Sequence, residues 1–253
     1  MRRKNNKAIR TTVSSKYLNV EQIDNICNIL TDRYIEELPD NDTLLRQIDI
    51  EDFAKKMLGC TIVFESIAED ADCLGCLSDG VVPIPVIRNA QPVNVVFPKN
   101  TIVIDQYLNG PSQFNRKRFT IAHEAGHVIK NRMYGKSGAE YNHVGGIMLD
   151  SATGLRKRYS YKELEANNFA ESLLIPEGMI AMLMHKLYED RKIVVYPGKI
   201  LNDEDRKNVQ SMAKIFGVAY ITMLIRLEHL DYLTPGELGP YVEDVVLGEN
   251  KDE

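Results

Sequence analysis

One short segment of this 253-residue sequence carries the residue types of a metal site. Residues 123–127 read His-Glu-Ala-Gly-His, an H-E-x-x-H pattern. In a helix, side chains four residues apart share a face and lie about 6 Å apart, so His123 and His127 can bind the same zinc ion. Glu124 lies about 100° further round the helix, where it can act as a general base on water rather than as a ligand. The pattern therefore predicts zinc-dependent hydrolysis.

The third metal ligand is expected from a second helical segment. A catalytic zinc site has three protein ligands and an open fourth position, and residues 161–174 offer Glu163 and Glu165. We favour Glu163, because Asn167 lies one turn further along the same face and can orient a zinc-bound histidine. Ser160 and Glu163 also form a capping-box pattern, in which Glu163 only caps the helix and Glu165 becomes the alternative ligand. The site is predicted to hold one Zn2+ per chain.

A small sheet is predicted before the active-site helix. Its strands are the β-branched runs at residues 61–64, 81–87, 93–97 and 101–104, which make a sheet of three or four strands. Pro83 and Pro85 favour an edge position for the second run, because proline cannot donate to a neighbouring strand. Thr101–Asp105 is the candidate exposed edge beside the active-site helix, where an extended substrate could pair.

Helical periodicity surrounds this predicted sheet. Apolar spacings of three and four indicate two helices between residues 17 and 58, and the active-site helix is placed over residues 113–134. The glycine-rich and polar residues 136–158 are predicted to form a loop. Further helices are predicted over residues 161–174, 177–187 and 203–233, the last with a break at Gly217. The fold class is therefore α+β.

The two motifs resemble those of the ImmA/IrrE family of zinc metallopeptidases. The matching segments are RFTIAHEAGH at residues 118–127 and ELEANNFAESLLIP at residues 163–176. The resemblance implies a zincin-like fold, zinc ligands His123, His127 and Glu163, and a catalytic base at Glu124. It also implies that the substrate is a helix-turn-helix transcriptional repressor of a mobile element or stress regulon. The longer loop between the motifs and the basic amino-terminal arm depart from the family pattern.

The charge distribution bears on the expected partners. The predicted parts are a basic flexible arm (1–16), the zincin-like metallopeptidase domain (17–190), a helix-turn-helix-like region (200–235) and an acidic tail (236–253). Residues 199–231 hold five basic and five acidic side chains, and Arg226 is the only cation between residues 220 and 227. Because phosphate binding needs clustered Lys and Arg, we expect a protein partner and no direct nucleic-acid binding. The alternative is a non-catalytic regulator that binds DNA or a protein through these helices, with a structural metal.

Two further features are weaker candidates for function. A peptidase needs a donor that stabilises the oxyanion; His143 is the candidate, with Tyr134, Tyr141 and Tyr161 as alternatives. The Cys-Leu-Gly-Cys segment at residues 73–76 is a lone CxxC pair. It could be a redox switch or an ordinary loop, because a structural zinc site would need a second pair.

Composition excludes several other classes of protein. Hydrophobic residues make up 44% and charged residues 26% of the chain, with a formal net charge of -5. No uncharged apolar stretch approaches the ~18 residues of a membrane span, and no apolar segment follows the basic start to form a secretory signal. The four cysteines are too few for a disulfide framework. We therefore predict a globular cytoplasmic protein.

Overall fold

Seven α-helices and seven short strands form within the residues that the computed structural model describes, which are 17–38, 47–67, 73–134, 161–237, 239 and 242. In chain order they are α1 (Val20–Glu36), α2 (Ile50–Leu58), β1 (Thr61–Ile67), β2 (Gly75–Leu77), β3 (Ile84–Arg88), β4 (Gln91–Val95), β5 (Thr101–Asp105), α3 (Phe114–Tyr134), α4 (Tyr161–Leu174), α5 (Glu177–Tyr188), β6 (Ile193–Val195), α6 (Asp203–Phe216), α7 (Tyr220–His229) and β7 (Leu233–Pro235). The predicted α+β class is confirmed.

Local signals in the sequence account for several helix ends. Asn19 caps α1 in a capping box: its side chain accepts from the Gln22 backbone N–H at 2.8 Å, and the Gln22 side chain accepts from the Asn19 backbone N–H at 3.0 Å. Helix α6 ends at Gly217, whose φ of 63° lies in the left-handed region that glycine adopts without strain. The break predicted at Gly217 therefore separates α6 from α7.

The main sheet has five strands in the order β2-β5-β1-β3-β4. Strands β1 and β5 are parallel, and the other neighbours are antiparallel. Side chains alternate across the sheet: Ile102 and Ile104 of β5 face the main core with the helices, whereas Val103 joins a small apolar cluster on the opposite face. Strands β6 and β7 form a separate parallel pair.

Both predictions of edge strands are wrong. Strand β3 lies between β1 and β4; it pairs with β1 only at Ile87 and Val86, beyond Pro85, so the missing N–H of that proline costs no bond to β1. Strand β5 lies between β1 and β2. Three-residue β2 was not predicted, because a run of Gly, Cys and Leu shows no alternation that identifies a strand.

Strand β2 is the sheet edge beside α3. A Cβ atom added at Gly75 would lie 2.5 Å from Thr120 Cγ2 of α3, so only glycine allows this close approach. Leu74 and Ser78 bond to β5, through Asp105 N–H to Leu74 O at 2.9 Å and Ser78 N–H to Thr101 O at 2.8 Å. Along an antiparallel strand, the N–H and C=O groups of successive residues point alternately toward and away from the paired strand. The N–H and C=O groups of Gly75 and Leu77 therefore point away from β5. No described strand pairs with that side of β2.

The turn between α6 and α7 is held against the active-site helix. Arg118 of α3 is buried and donates to the backbone oxygens of Gly217 at 3.1 Å and Phe216 at 3.2 Å. Asn115 donates to Val218 O at 3.1 Å. These bonds occupy the carbonyl groups that the end of α6 leaves without helical partners. The turn of the predicted helix-turn-helix-like region is thus part of the interface with α3.

Helix α7 is joined to α1 and α4 by a buried arginine. Arg226 has no solvent exposure; its Nη1 lies 2.6 Å from Asp24 Oδ1, and its Nε donates to Ile175 O at 3.1 Å. Ser172 of α4 donates to the same Asp24 oxygen. The one cation between residues 220 and 227 therefore neutralises a buried carboxylate.

The length and hydropathy of the described helices bear on whether any of them could cross a membrane. None of them is, by itself, long and apolar enough to cross a bilayer; α6 and α7 together meet the length and composition criteria, but with a 100° bend between them.

Folding stability should depend on pH through the end of α7. His229 Nδ1 lies 2.9 Å from Glu171 Oε2, and this contact raises the pKa of His229 against the opposing effect of burial. A raised folded-state pKa stabilises the folded protein fully below about pH 6.5, the pKa of unperturbed histidine, and this stabilisation is lost as pH rises through the raised value. We expect His229→Gln to lower the free energy of unfolding by about 1 kcal/mol at pH 6 and by less at higher pH.

Urea unfolding of both proteins across this pH range measures the difference. His185→Gln is the control, because His185 Nδ1 is likewise 2.9 Å from Asp190 but the pair is exposed and screened by water. A difference between wild type and His229→Gln that stays constant with pH would contradict the prediction.

Candidate metal centre

The two histidines of the H-E-x-x-H pattern lie on one face of α3, as the helical spacing predicts. Their rings are edge-to-face, with centroids 4.9 Å apart, and the two Nε2 atoms are 3.2 Å apart. His123 is buried and His127 is partly exposed. Both side chains therefore present the same ring nitrogen to one point at the protein surface.

Helix α4 brings a carboxylate to this point. Glu163 Oε2 lies 3.1 Å from His123 Nε2, and Glu163 Oε1 lies 3.7 Å from His127 Nε2. Ligand atoms of these three residues all lie within 4.8 Å of one another. The structure therefore brings together the three residues that were predicted as metal ligands.

Asn167, one turn after Glu163 in α4, contacts the other side of the first histidine. Asn167 Oδ1 lies 2.9 Å from His123 Nδ1. Because an amide oxygen only accepts, His123 Nδ1 must carry the proton, and Nε2 then presents its lone pair. This is the tautomer that a metal ligand requires, with the orienting partner that the spacing of Glu163 and Asn167 predicted.

The electrostatics of the cluster favour a cation. Burial opposes ionisation of Glu163, but its contacts with the two histidines hold its pKa well below the usual range, so it is a carboxylate anion. Burial acts to lower the pKa of His123, but Glu163 and Glu124 raise it overall. The negative charges of Glu163 and Glu124 thus lie beside the two imidazoles in one small, partly buried site, which favours binding of a cation.

The donor set and its spacing fit a zinc ion. Zinc with tetrahedral bonds of about 2.0–2.1 Å has ligand atoms about 3.3–3.4 Å apart. The closest distances in the cluster are 3.1, 3.2 and 3.7 Å. Two imidazole nitrogens and one carboxylate also form one of the ligand sets that catalytic zinc uses.

Glu124 is placed differently from these three ligands. It is buried, and burial raises its pKa, whereas the two histidines act to lower it. A carboxylate whose pKa is raised toward neutrality is suited to accept and return a proton. Its position in the pattern and its surroundings thus fit the predicted general base.

The close packing of α3 on α4 depends on the glycine inside the motif. A Cβ atom added at Gly126 would lie 2.7 Å from Phe169 Cβ and 3.3 Å from Ala166 O. The backbones of α3 and α4 therefore approach each other closely at Gly126, in the helical turn between His123 and His127. Gly126 thus sets the helix separation that lets Glu163 reach the histidines.

We expect Gly126→Ala to push α4 away from α3. The overpacking should lower the free energy of unfolding by about 1–3 kcal/mol and should also weaken zinc binding. Gly178→Ala is a matched control in α5, because an added Cβ there meets nothing within 4 Å. The control should be neutral or stabilising by about 0.4–1 kcal/mol in urea unfolding. Equal effects of the two substitutions would contradict this role of Gly126.

The other predicted site residues lie elsewhere. Glu165, the alternative ligand, is buried away from the histidines: its Oε1 accepts from the Leu18 backbone N–H at 2.6 Å, and its Oε2 pairs with Lys130. His143, the oxyanion candidate, and Tyr141 lie outside the described residues, as does Ser160 of the capping-box pattern. The identity of the oxyanion donor stays a prediction.

The CxxC pair lies in the small apolar cluster on the far face of the sheet. Cys73 and Cys76 are both buried, and Cys73 Sγ lies 3.5 Å from Gly75 O. The pKa of the Cys76 thiol is raised, mainly by its contact with the Cys73 thiol and also by burial. Because thiolates rather than thiols react, this environment favours packing over redox chemistry.

Comparison with known proteins identifies the family. The sequence model of peptidase family M78, described as the IrrE N-terminal-like domain, matches residues 97–228, which is just over half of the chain and includes α3, α4 and Glu163. The chain belongs to the M78 peptidase family. The zincin-like fold predicted from the resemblance is thereby confirmed.

Comparisons with curated proteins and with solved structures give less. No curated protein matches the sequence. A solved structure of a Mycobacterium tuberculosis transcriptional regulator is similar over 83% of this chain and 47% of that chain, with 15% sequence identity and a TM-score of 0.43. This M78 chain thus spans about half the length of that regulator.

Membership of the M78 family supports a peptidase-type activity in general and an association with zinc. Two features of the fold were not predicted from the sequence: the edge strand β2 and the Glu165–Lys130 pair. The pair could have been suspected only from the unusual presence of a lysine at residue 130, on the apolar side of a buried helix.

Proposed function

We propose that this protein is a zinc-dependent endopeptidase that cuts a peptide bond in a specific protein substrate. The observation that carries the proposal is the convergence of His123, His127 and Glu163 at distances that match a tetrahedral zinc site, beside the buried carboxylate of Glu124. A structural metal needs no proton acceptor next to its ligands, whereas hydrolysis does.

Each residue then has a defined task. Zinc held by His123, His127 and Glu163 would polarise the scissile carbonyl and activate water. Glu124 accepts the proton of the attacking water and passes it to the leaving amine nitrogen. Asn167 keeps the His123 ring in the tautomer and orientation that metal binding needs.

Strand β2 is the proposed place for the substrate backbone, and its three residues, which are buried in this structure, would have to be uncovered first. The backbone groups of Gly75 and Leu77 point away from β5, and Gly75 holds this edge against α3 at Thr120. An extended peptide segment that adds to this edge would therefore run along the active-site helix. Substrate binding at β2 replaces the earlier prediction of binding at Thr101–Asp105.

We propose a helix-turn-helix transcriptional repressor as the substrate. The support is the resemblance of the two motifs to the ImmA/IrrE family, whose members act on such repressors. The C-terminal helices give no support for direct DNA binding instead, because Arg226 is buried and Arg118 and Asn115 cover the turn between α6 and α7.

Comparison of protein N-termini in cells tests the proposal. Cells that express the wild type or Glu124→Gln at equal levels are analysed by mass spectrometry of protein N-termini. We expect one or a few new N-termini with the wild type only, within a repressor whose target genes are induced. A wild-type sample without any N-terminus of its own would overturn the proposed function, and a cleaved protein of another class would overturn only the choice of substrate.

A further inference from the structure

A buried ion pair joins the two metal-bearing helices outside the metal centre. Lys130 lies one turn after His127 in α3, and Glu165 lies two residues after Glu163 in α4. Lys130 Nζ pairs with Glu165 Oε2, and each side chain is only 5% exposed. The pair therefore adds a charged contact to a helix interface that is closely packed at Gly126 against Phe169 and the Ala166 backbone.

The two oxygens of Glu165 have separate partners from separate elements. Oε2 pairs with Lys130 of α3, and Oε1 accepts from the Leu18 N–H, just before α1, at 2.6 Å. Lys130 Nζ also lies 5.7 Å from the centre of the Tyr17 ring. One carboxylate thus connects the start of α1, α3 and α4.

Charge at this position restricts how the helices can move. Apolar contacts such as Gly126 with Phe169 set a separation but allow some sliding or rotation, because dispersion has no preferred direction. A buried charge that loses its partner is strongly destabilised, so the position of α4 along α3 is restricted by Glu165 and Lys130. Metal sites need such restriction, since ligands must be held within about 0.5 Å of their working geometry.

We propose that Glu165 and Lys130 are positioning residues for the metal centre. The pair holds Glu163 in register with His123 and His127, although neither member touches the ligand atoms. This inference rests on the proposed zinc site, and it assigns a role to the glutamate that was the alternative ligand.

The test is the zinc affinity of a double variant, Glu165→Gln/Lys130→Met. Both charges are removed together, so no unpaired buried charge remains to unfold the protein, and the glutamine amide oxygen can still accept from Leu18. Competition with a chromophoric chelator measures zinc affinity, and urea unfolding of the zinc-free protein monitors the fold. We expect zinc affinity to fall about tenfold, within the range found when groups that support metal ligands are lost.

The control is Glu51→Gln/Lys117→Met, which removes an ion pair of α3 at more exposed positions, 22% and 32% against 5%. Lys117 Nζ lies 3.0 Å from Glu51 Oε1, so this pair connects α3 to α2 and does not involve α4. Wild-type zinc affinity is expected for the control. Unchanged affinity in the Glu165/Lys130 variant, or equal losses in both variants, would overturn the inference and leave the zinc site intact. A wild type that binds no zinc would instead overturn the proposed function together with this inference.

Discussion

Replacing Glu124 with glutamine is expected to abolish peptide hydrolysis while the protein keeps its fold and its zinc affinity. Glutamine has nearly the same shape but cannot accept a proton, and proton transfer by a positioned group contributes about 10²–10⁴-fold to the rate. Glu124 is outside the three-residue cluster of candidate ligands, so zinc should remain bound. Neutral glutamine also suits this buried position, because burial already raises the pKa of Glu124.

Three measurements on purified protein separate chemistry from structure: the cleavage rate of an identified substrate, zinc content by elemental analysis, and urea unfolding. Glu171→Gln is a control matched in burial, since Glu171 lies in α4 and contacts His229 rather than the metal centre. It should cleave at the wild-type rate. Cleavage by Glu124→Gln at that rate would exclude Glu124 as the base. Full activity of Glu124→Gln in cells without any cleavage would instead favour the non-catalytic regulator.

Replacing Glu163 with alanine should lower zinc affinity by more than about 100-fold, the upper range for groups that only support a ligand. The physical reason is the loss of a carboxylate whose two oxygens lie 3.1 Å and 3.7 Å from the two histidine nitrogens. Bound zinc also stabilises the folded state by mass action, by about 2.7 kcal/mol when free zinc is 100 times its Kd. Wild type should gain this stability with zinc, and Glu163→Ala should gain less than about 0.4 kcal/mol at the same concentration.

Chelator competition and urea unfolding with and without zinc measure these effects. The Glu165→Gln/Lys130→Met variant is the comparison, because Glu165 lies two residues from Glu163 in the same helix. We expect this double substitution to lower zinc affinity only about tenfold. A larger loss for that variant than for Glu163→Ala would identify Glu165 as the third ligand and contradict the assignment of Glu163.

The C-terminal helices show that a helix-turn-helix spacing in the sequence does not by itself establish a DNA-binding surface. Residues 210–227 have the spacing of a helix-turn-helix, and α6 and α7 do form with a turn at Gly217. Arg226, however, pairs with Asp24 at 2.6 Å and has no solvent exposure. Helical spacing predicts two helices but does not predict which surface they pack on, and here they contact α1, α3 and the end of α4.

Strand β2 marks a second limit of prediction. The β-branched runs at residues 61–64 and 101–104 were enough to predict β1 and β5, because such side chains favour a pleated, half-buried surface. Residues 75–77 show no comparable preference, and their strand exists because β5 offers an edge with which they can pair. The strand that ends the sheet beside α3 therefore has no local signal in the sequence.

By itself, the sequence determined the α+β class, the active-site helix and the pair of histidines on one of its faces, because the spacing of residues in a helix determines which side chains are neighbours. The sequence left Glu163 and Glu165 of α4 as alternative third ligands, since both lie in the segment expected to supply that ligand. Only the tertiary structure separates their positions: α4 packs on α3 at Gly126, with Glu163 beside the histidines and Glu165 beside Lys130 and Leu18. Relative positions of separate helices follow from packing and buried charge, which no local spacing contains.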